Sequence, residues 1–140
     1  MSGFLLDTNV ISDLVKPRPS VRLRAWIEQR DEESLYISVL TLGEIRQGIE
    51  SARTDRKKSA KLEQALADFR ARFAGRVLGV DGIVAETWGE LNGRARMQGM
   101  PVAVIDGLLA ATAIVHRLVV VTGNARHFTQ AGARVFDPFR

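Results

Sequence analysis

The chain has 140 residues, of which 46% are hydrophobic and 26% are charged, and its formal net charge is +4. This length and composition are typical of one globular domain, so we expect residues 1–140 to fold as a single unit. The sequence contains no cysteine, which excludes disulfide bonds, thiolate metal sites and thiol nucleophiles.

The beginning of the chain and its apolar runs argue against export and membrane insertion. Asp7 interrupts the first apolar run after three residues, too early for the core of a signal peptide. The longest apolar runs fall well short of the roughly 18 residues that a membrane-spanning helix needs. We therefore expect a cytoplasmic protein with no membrane contact.

Short apolar runs alternate with helical patterns along the chain. The runs predict five strands, and the spacing of apolar residues between them predicts helices. Strands are expected at 4–6, 36–38, 77–80, 119–122 and 135–136, and helices at 20–29, 39–50, 62–73, 84–95 and 105–116. This alternation predicts an α/β protein: a three-layer sandwich with a central, mostly parallel five-stranded sheet.

The densest basic stretch covers residues 53–61, where five lysines and arginines are opposed only by Asp55. A net positive charge permits a polyanionic partner without identifying one. The stretch has no interleaved aromatic residues for base stacking, so it favours a solvated start of a helix over a phosphate-binding patch.

Four polar residues are placed by the predicted topology at the carboxyl edge of the sheet, where strands end, crossover helices begin and ligands bind. Asp7 follows the first strand, Glu44 lies early in the helix after the second, Asp106 opens the alanine-rich helix, and Asn124 follows the fourth strand. We expect all four to face one crevice. Each also has a simpler interpretation: Asp7 and Asp106 as helix caps, Glu44 as a solvent-facing residue, and Asn124 as a turn residue.

The apolar surroundings of Glu44 and Asp106 argue against the simpler interpretations, because buried carboxylates need partners. Carboxylates gathered in one crevice repel one another, and a divalent cation relieves that repulsion. Oxygen ligands without cysteine favour Mg²⁺, for which Mn²⁺ can substitute, and such a site suits hydrolysis of phosphate esters by a metal-activated water. His127 beside Arg126 is a weaker candidate for a phosphate contact, and His116 is better explained as a core or surface residue.

Four segments of the sequence together resemble the PIN-domain family, in particular its VapC-type and FitB-like toxins. They are LLDTNVIS, ISVLTLGEIRQGI, VIDGLLAATA and VVVTGNARHF, in that order along the whole chain. The resemblance implies a metal-dependent endoribonuclease in which Asp7, Glu44 and Asp106 are the catalytic, metal-binding acids. It further implies supporting roles for Thr8, Asn9 and Thr122.

The family resemblance also implies partners and leaves alternatives open. It implies an RNA substrate, a cognate antitoxin through which DNA is contacted indirectly, and a homodimer. Asn124 occupies a position where relatives commonly have a fourth catalytic acid; its amide oxygen can still bind a metal, but it favours a site with one ion. A weakly catalytic protein that tunes a DNA-binding antitoxin and a structure-selective DNA nuclease are the alternatives.

Overall fold

The computed structural model describes residues 3–140, in which five parallel strands form one sheet. Each strand is short and rich in Val, Leu, Ile or aromatic residues, as expected of strands that are covered on both faces. In chain order they are β1 (Gly3–Leu6), β2 (Leu35–Ser38), β3 (Val77–Leu78), β4 (Leu118–Val121) and β5 (Val135–Phe136). Their spatial order is β3-β2-β1-β4-β5.

Seven α-helices of the described residues connect and cover these strands. They are α1 (Thr8–Leu14), α2 (Val21–Glu28), α3 (Val39–Ser51), α4 (Arg56–Arg72), α5 (Gly82–Met97), α6 (Val104–His116) and α7 (Ala125–Gln130). No helix in the described part of the chain is long and apolar enough to cross a membrane.

Alternating strand residues build two separate cores on the two faces of the sheet. Leu6 and Val121 pack with apolar residues of α1 to α4, whereas Leu5 and Val120 pack mainly against α6 and α7, with Leu91 of α5 at the edge. Most of these side chains are fully buried. The predicted three-layer sandwich is therefore confirmed, with a sheet that is entirely parallel.

The direction of strand addition reverses between β1 and β4. From β1 the chain adds β2 and then β3 on one side, and it returns to place β4 on the other side of β1. In an open parallel sheet, such a reversal leaves a crevice at the carboxyl ends of the two strands. The residues that follow β1 and β4 therefore lie at the mouth of a natural binding site.

The predicted strands and helices are present, with differences at their ends. β3 ends at Leu78 rather than at residue 80, and β4 is shifted by one residue toward the amino terminus. The basic stretch does contain a helix start: the Asp55 carboxylate accepts a hydrogen bond from the backbone N–H of Lys58, and Arg56, Lys57 and Lys58 are exposed. Two short helices, α1 and α7, were not assigned from the sequence.

Candidate active site

Asp7 lies at the end of β1 and is almost completely buried, with 6% of its surface exposed. Its backbone N–H donates to the carbonyl of Val121, so the β1–β4 ladder extends to the aspartate. Its Oδ1 accepts from the backbone N–H of Thr8 at 2.7 Å, and its Oδ2 accepts from the Thr122 hydroxyl at 2.8 Å. Asp7 thus caps α1, as the simpler interpretation predicted, and its other carboxylate oxygen is fixed by Thr122, directly after β4.

Burial raises the pKa of the Asp7 carboxyl above its ordinary value. The hydrogen bonds from Thr122 and Thr8 act in the opposite direction, and the negative charges of Asp106 and Glu44 raise this pKa further. The Asp7 carboxylate is therefore in an environment that disfavours its negative charge, and a nearby cation would relieve this.

Glu44 lies in the second turn of α3 and is half-buried, so the interpretation as a purely solvent-facing residue is wrong. Its Oε1 accepts a hydrogen bond from the Thr8 hydroxyl at 2.6 Å. That hydroxyl also lies 3.0 Å from the hydroxyl of Thr41, which is fully buried one turn before Glu44. Thr8 of α1 thereby orients a carboxylate of α3.

Asp106 is the third residue of α6, and the helix is capped at Ala103 without a side-chain hydrogen bond. The interpretation of Asp106 as a cap is therefore wrong. The negative charge of an acidic residue in the first turn interacts favourably with the helix dipole. In this position the carboxylate also lines the cleft. Its Oδ2 lies 3.6 Å from Nδ1 of His127 on α7.

Asn124 precedes α7 and is exposed, and its side chain makes no capping hydrogen bond. Its backbone N–H donates to the Thr122 hydroxyl at 2.9 Å, so Thr122 links it to Asp7. Asn9 accepts from the backbone N–H of Gly123 at 3.4 Å. The backbone of Asn124 thus belongs to a turn, as the simpler interpretation held, while its side chain is one of those that line the cleft.

The residues that sequence analysis selected come together in one cleft of about 410 Å³, except that Thr122 lies behind it, beneath Asp7. Two residues of the cleft wall, Ser12 and Lys16, and the supporting Thr41 were not predicted from the sequence. Ser12 follows Thr8 by one helical turn, and Thr41 precedes Glu44 by three residues, so helical spacing was a usable signal for both. The cleft is lined by Asp7, Thr8, Asn9, Ser12, Lys16, Glu44, Asp106 and Asn124.

The donor set of this cleft suits a hard divalent cation by its chemistry. Three carboxylates supply oxygen ligands and negative charge, and Mg²⁺ commonly uses one or two carboxylates together with water. Within residues 3–140, no three His, Asp or Glu side chains are close enough to hold a metal ion together as they stand. The arrangement therefore fits a cation held by one or two of the acids, with the remaining carboxylate acting at longer range.

Comparison with known proteins identifies similar chains. A family model described as PIN domain matches residues 4–133. The chain is 36% identical over 135 residues to toxin FitB of Neisseria gonorrhoeae, covering 96% of this chain and 97% of that protein. It is 32% identical over 135 residues to the VapC ribonuclease Y4jK of Sinorhizobium fredii, covering 96% of each.

Solved structures show the same likeness. A structure of FitAB bound to an IR36 DNA fragment contains a chain with a TM-score of 0.89 and 35% identity, covering 98% of this chain and 96% of that one. A structure of DNA-bound VapBC from Salmonella typhimurium contains a chain with a TM-score of 0.84 and 29% identity, covering 99% of each.

Proposed function

The chain belongs to the PIN-domain family, and from this premise we propose that it is a metal-dependent endoribonuclease, the toxin of a toxin–antitoxin pair. The observation that carries the proposal is the convergence of Asp7, Glu44 and Asp106 on one cleft at the carboxyl edge of the sheet. One relative of similar length is named a ribonuclease and another a tRNA(fMet)-specific endonuclease, which supports RNA as the substrate class.

We propose that Asp7, Asp106 and Glu44 form the site for Mg²⁺, for which Mn²⁺ can substitute. One or two of these acids bind the ion directly and the remaining carboxylate acts at longer range, with Asn124 as the fourth polar residue of the catalytic site. A bound cation supplies a more acidic water nucleophile and neutralises the charge that develops on the phosphate. Asp7 is suited to a cation because its buried carboxylate already lies beside two other negative charges.

The supporting residues act on the orientation of the acids. The Thr122 hydroxyl and the backbone N–H of Thr8 each donate to one oxygen of Asp7. The Thr8 hydroxyl donates to one oxygen of Glu44, whose second oxygen accepts no hydrogen bond from the described residues. Hydrogen bonds of this kind fix the geometry of metal-binding carboxylates and strongly affect activity. Asn9 accepts from Gly123 of the β4–α7 loop. Thr122 of that loop donates to Asp7 and accepts from the backbone N–H of Asn124, so the loop stays beside Asp7.

We propose a cognate antitoxin as the protein partner, with DNA contacted through that antitoxin. The similar solved chains come from FitAB and VapBC assemblies bound to DNA, which supports this partnership. A cationic side chain of the partner placed among the acids would inhibit the site by forming charge-assisted hydrogen bonds. The homodimer stays a prediction.

The direct test is cleavage of RNA and DNA in parallel by the purified chain, with Mg²⁺, with Mn²⁺ and with a chelator. We expect endonucleolytic cleavage of RNA that needs a divalent ion. Preferential cleavage of DNA would support the nuclease alternative and contradict the proposal. Absence of any cleavage would favour the second candidate function, a weakly catalytic protein that tunes a DNA-binding antitoxin. Asn124 in place of a fourth acid and the separation of the acids within the described residues support this candidate.

Thr8→Val tests the hydrogen bond that orients Glu44. Valine has nearly the shape of threonine but cannot donate to the Glu44 carboxylate, so RNA cleavage should fall about 10- to 100-fold. Initial rates at saturating Mg²⁺ measure this effect. Thr8→Ser retains the hydroxyl and should restore most of the activity; equal rates for the valine and serine variants would contradict the role of the hydroxyl.

Asn124→Asp tests whether residue 124 faces the cation. A fourth carboxylate in the cleft adds Coulomb attraction, so calorimetry should find Mg²⁺ bound at least about tenfold more tightly. Without divalent ions, the extra negative charge should lower the melting temperature. Gln29→Glu adds one charge at an exposed position outside the cleft and is the control. Unchanged Mg²⁺ affinity would mean that Asn124 is only a turn residue.

A further inference from the structure

Lys16 carries the only positive charge among the described side chains that line the acid cleft. It follows α1 and begins the sequence Lys-Pro-Arg-Pro-Ser at residues 16–20, whose two prolines restrict the backbone of the connection to α2. The backbone that carries Lys16 is therefore restrained next to the cleft.

Asp13 holds this ammonium group at the rim. Lys16 Nζ lies 3.2 Å from Oδ1 of Asp13, while Oδ2 of the same carboxylate accepts from the backbone N–H of Ser20 at 2.8 Å. Asp13 is 9% exposed, and Ser20 caps α2 through its own hydroxyl, which accepts from Leu23. A buried and doubly bonded carboxylate thus connects α1 to α2 and also anchors the lysine.

Two roles are conceivable for a lysine in this position. As an internal counter-ion it would pair with the acids of the cleft and compete with a metal cation for them. Within the described residues, however, the ammonium lies within 4 Å of the Asp13 carboxylate only, and none of the cleft acids pairs with it. The negative charge of Asp7, Glu44 and Asp106 is therefore left available for a cation.

The second role is contact with the substrate. The Lys16 side chain is 63% exposed, so its ammonium can reach outward from the rim, and it retains two donors when one is used by Asp13. A polyanionic strand that enters an acidic cleft needs a cation at the entrance, because its phosphates are otherwise repelled by the carboxylates.

We propose that Lys16 forms a phosphate-binding subsite at the rim of the cleft. It binds a backbone phosphate of a single RNA strand, adjacent to the phosphate at which cleavage occurs. This inference rests on the proposed ribonuclease function. Asp13 is then a positioning residue, which holds the ammonium away from the metal-binding acids and toward the substrate. An RNA strand is favoured over a free nucleotide, because the subsite adjoins the cleft rather than lying inside it.

Salt dependence of RNA binding tests the subsite directly. Neutralising one phosphate of a single strand contributes about 0.7 to the slope of log affinity against log salt concentration. Binding of a labelled oligoribonucleotide is measured with Mg²⁺ in an Asp106→Asn background, which keeps the RNA intact. In this background, the chain that retains Lys16 is compared with the variants Lys16→Gln and Lys16→Arg. Lys58→Gln, at an exposed position of α4 outside the cleft, is the matched control.

We expect Lys16→Gln to weaken RNA binding about three- to tenfold and to reduce the slope by about 0.7, while Lys58→Gln changes neither. Lys16→Arg should restore the slope. In the otherwise unchanged chain, Lys16→Gln should raise KM more than it lowers kcat, and Mn²⁺ affinity should stay within about twofold. An equal decrease of the salt slope in Lys16→Gln and Lys58→Gln would mean that the slope depends on the net charge of the protein and not on a specific subsite, and would overturn the proposal.

Two further outcomes separate this proposal from the ribonuclease proposal. Tighter Mn²⁺ binding by Lys16→Gln with an unchanged salt slope would identify Lys16 as a counter-ion and overturn the subsite, while RNA cleavage by the unchanged chain would leave the ribonuclease function standing. If the unchanged chain neither binds nor cleaves RNA, the ribonuclease function itself fails and the subsite fails with it.

Discussion

Asp106→Asn should reduce the rate of RNA cleavage by about 100-fold or more at saturating Mg²⁺. Asp106 lines the cleft with Asp7 and Glu44, and its negative charge adds to the effect of burial in raising the pKa of the Asp7 carboxyl. Asparagine keeps the size of the side chain but removes the charge that a divalent cation needs. A loss of several kcal/mol of charge stabilisation in the transition state corresponds to a rate loss of this size.

The matched control for Asp106→Asn is Asp31→Asn. Asp31 is exposed, and its carboxylate makes no capping hydrogen bond, so this change removes the same charge at a remote position and should leave cleavage unaltered. Circular dichroism and thermal melting of both variants establish that the fold is retained. Near wild-type cleavage by Asp106→Asn in both Mg²⁺ and Mn²⁺ would defeat the assignment of the acids.

The position of the acids could be predicted because it depends on chain direction alone. A parallel sheet places the carboxyl ends of its strands at one edge, so a residue that directly follows a strand is located once the strand is recognised. Asp7 and Asn124 were located in this way, and both line the cleft. Glu44 and Asp106 required only the additional assumption that their helices begin at the same edge.

The short helices α1 and α7 were not predicted, because periodicity needs length. α7 has six residues and α1 has seven, which is less than two full turns and too few for a repeat of 3.6 residues to show. Both are fixed by tertiary contacts: Phe128 of α7 and Val10 and Ile11 of α1 are fully buried in the two cores. Packing rather than intrinsic propensity stabilises helices of this length.

The side-chain contacts that orient the site could not be predicted for a different reason. The Thr8 hydroxyl and the Glu44 carboxylate are 36 residues apart, and their hydrogen bond depends on how α1 packs against α3. The ammonium group of Lys16 is held at the rim of the cleft by Asp13, whose other carboxylate oxygen accepts from the backbone N–H of Ser20. The sequence shows such polar residues, but only the packing of the elements decides which of them meet.

Asp7→Asn should stabilise the protein at neutral pH in the absence of divalent ions, while it abolishes the proposed catalysis. Burial and the charges of Asp106 and Glu44 raise the pKa of Asp7 in the folded state above its unfolded value. Between these two pKa values the folded state binds more protons than the unfolded state, so the free energy of unfolding falls as pH rises through that window. Above it, the wild type carries the whole penalty of an ionised, buried carboxylate, which the neutral asparagine lacks.

The advantage of Asp7→Asn should therefore depend on pH and on metal. Chemical denaturation between about pH 3 and about pH 7.5 measures the difference in stability between Asp7→Asn and the wild type. This difference should be smallest below the ordinary aspartate pKa of about 3.9, where the wild-type carboxyl is protonated in both the folded and the unfolded state. It should grow as pH rises. Adding Mg²⁺ should stabilise the wild type and reverse the order at neutral pH, because a ligand that binds only the folded state adds its binding free energy to stability. Asp31→Asn should show neither trend. If Asp7→Asn is less stable than the wild type at every pH, the hydrogen bonds that the Asp7 carboxylate accepts from Thr8 and Thr122 outweigh the cost of burying its charge. Asp7 would then contribute to the fold more than to the binding of a cation.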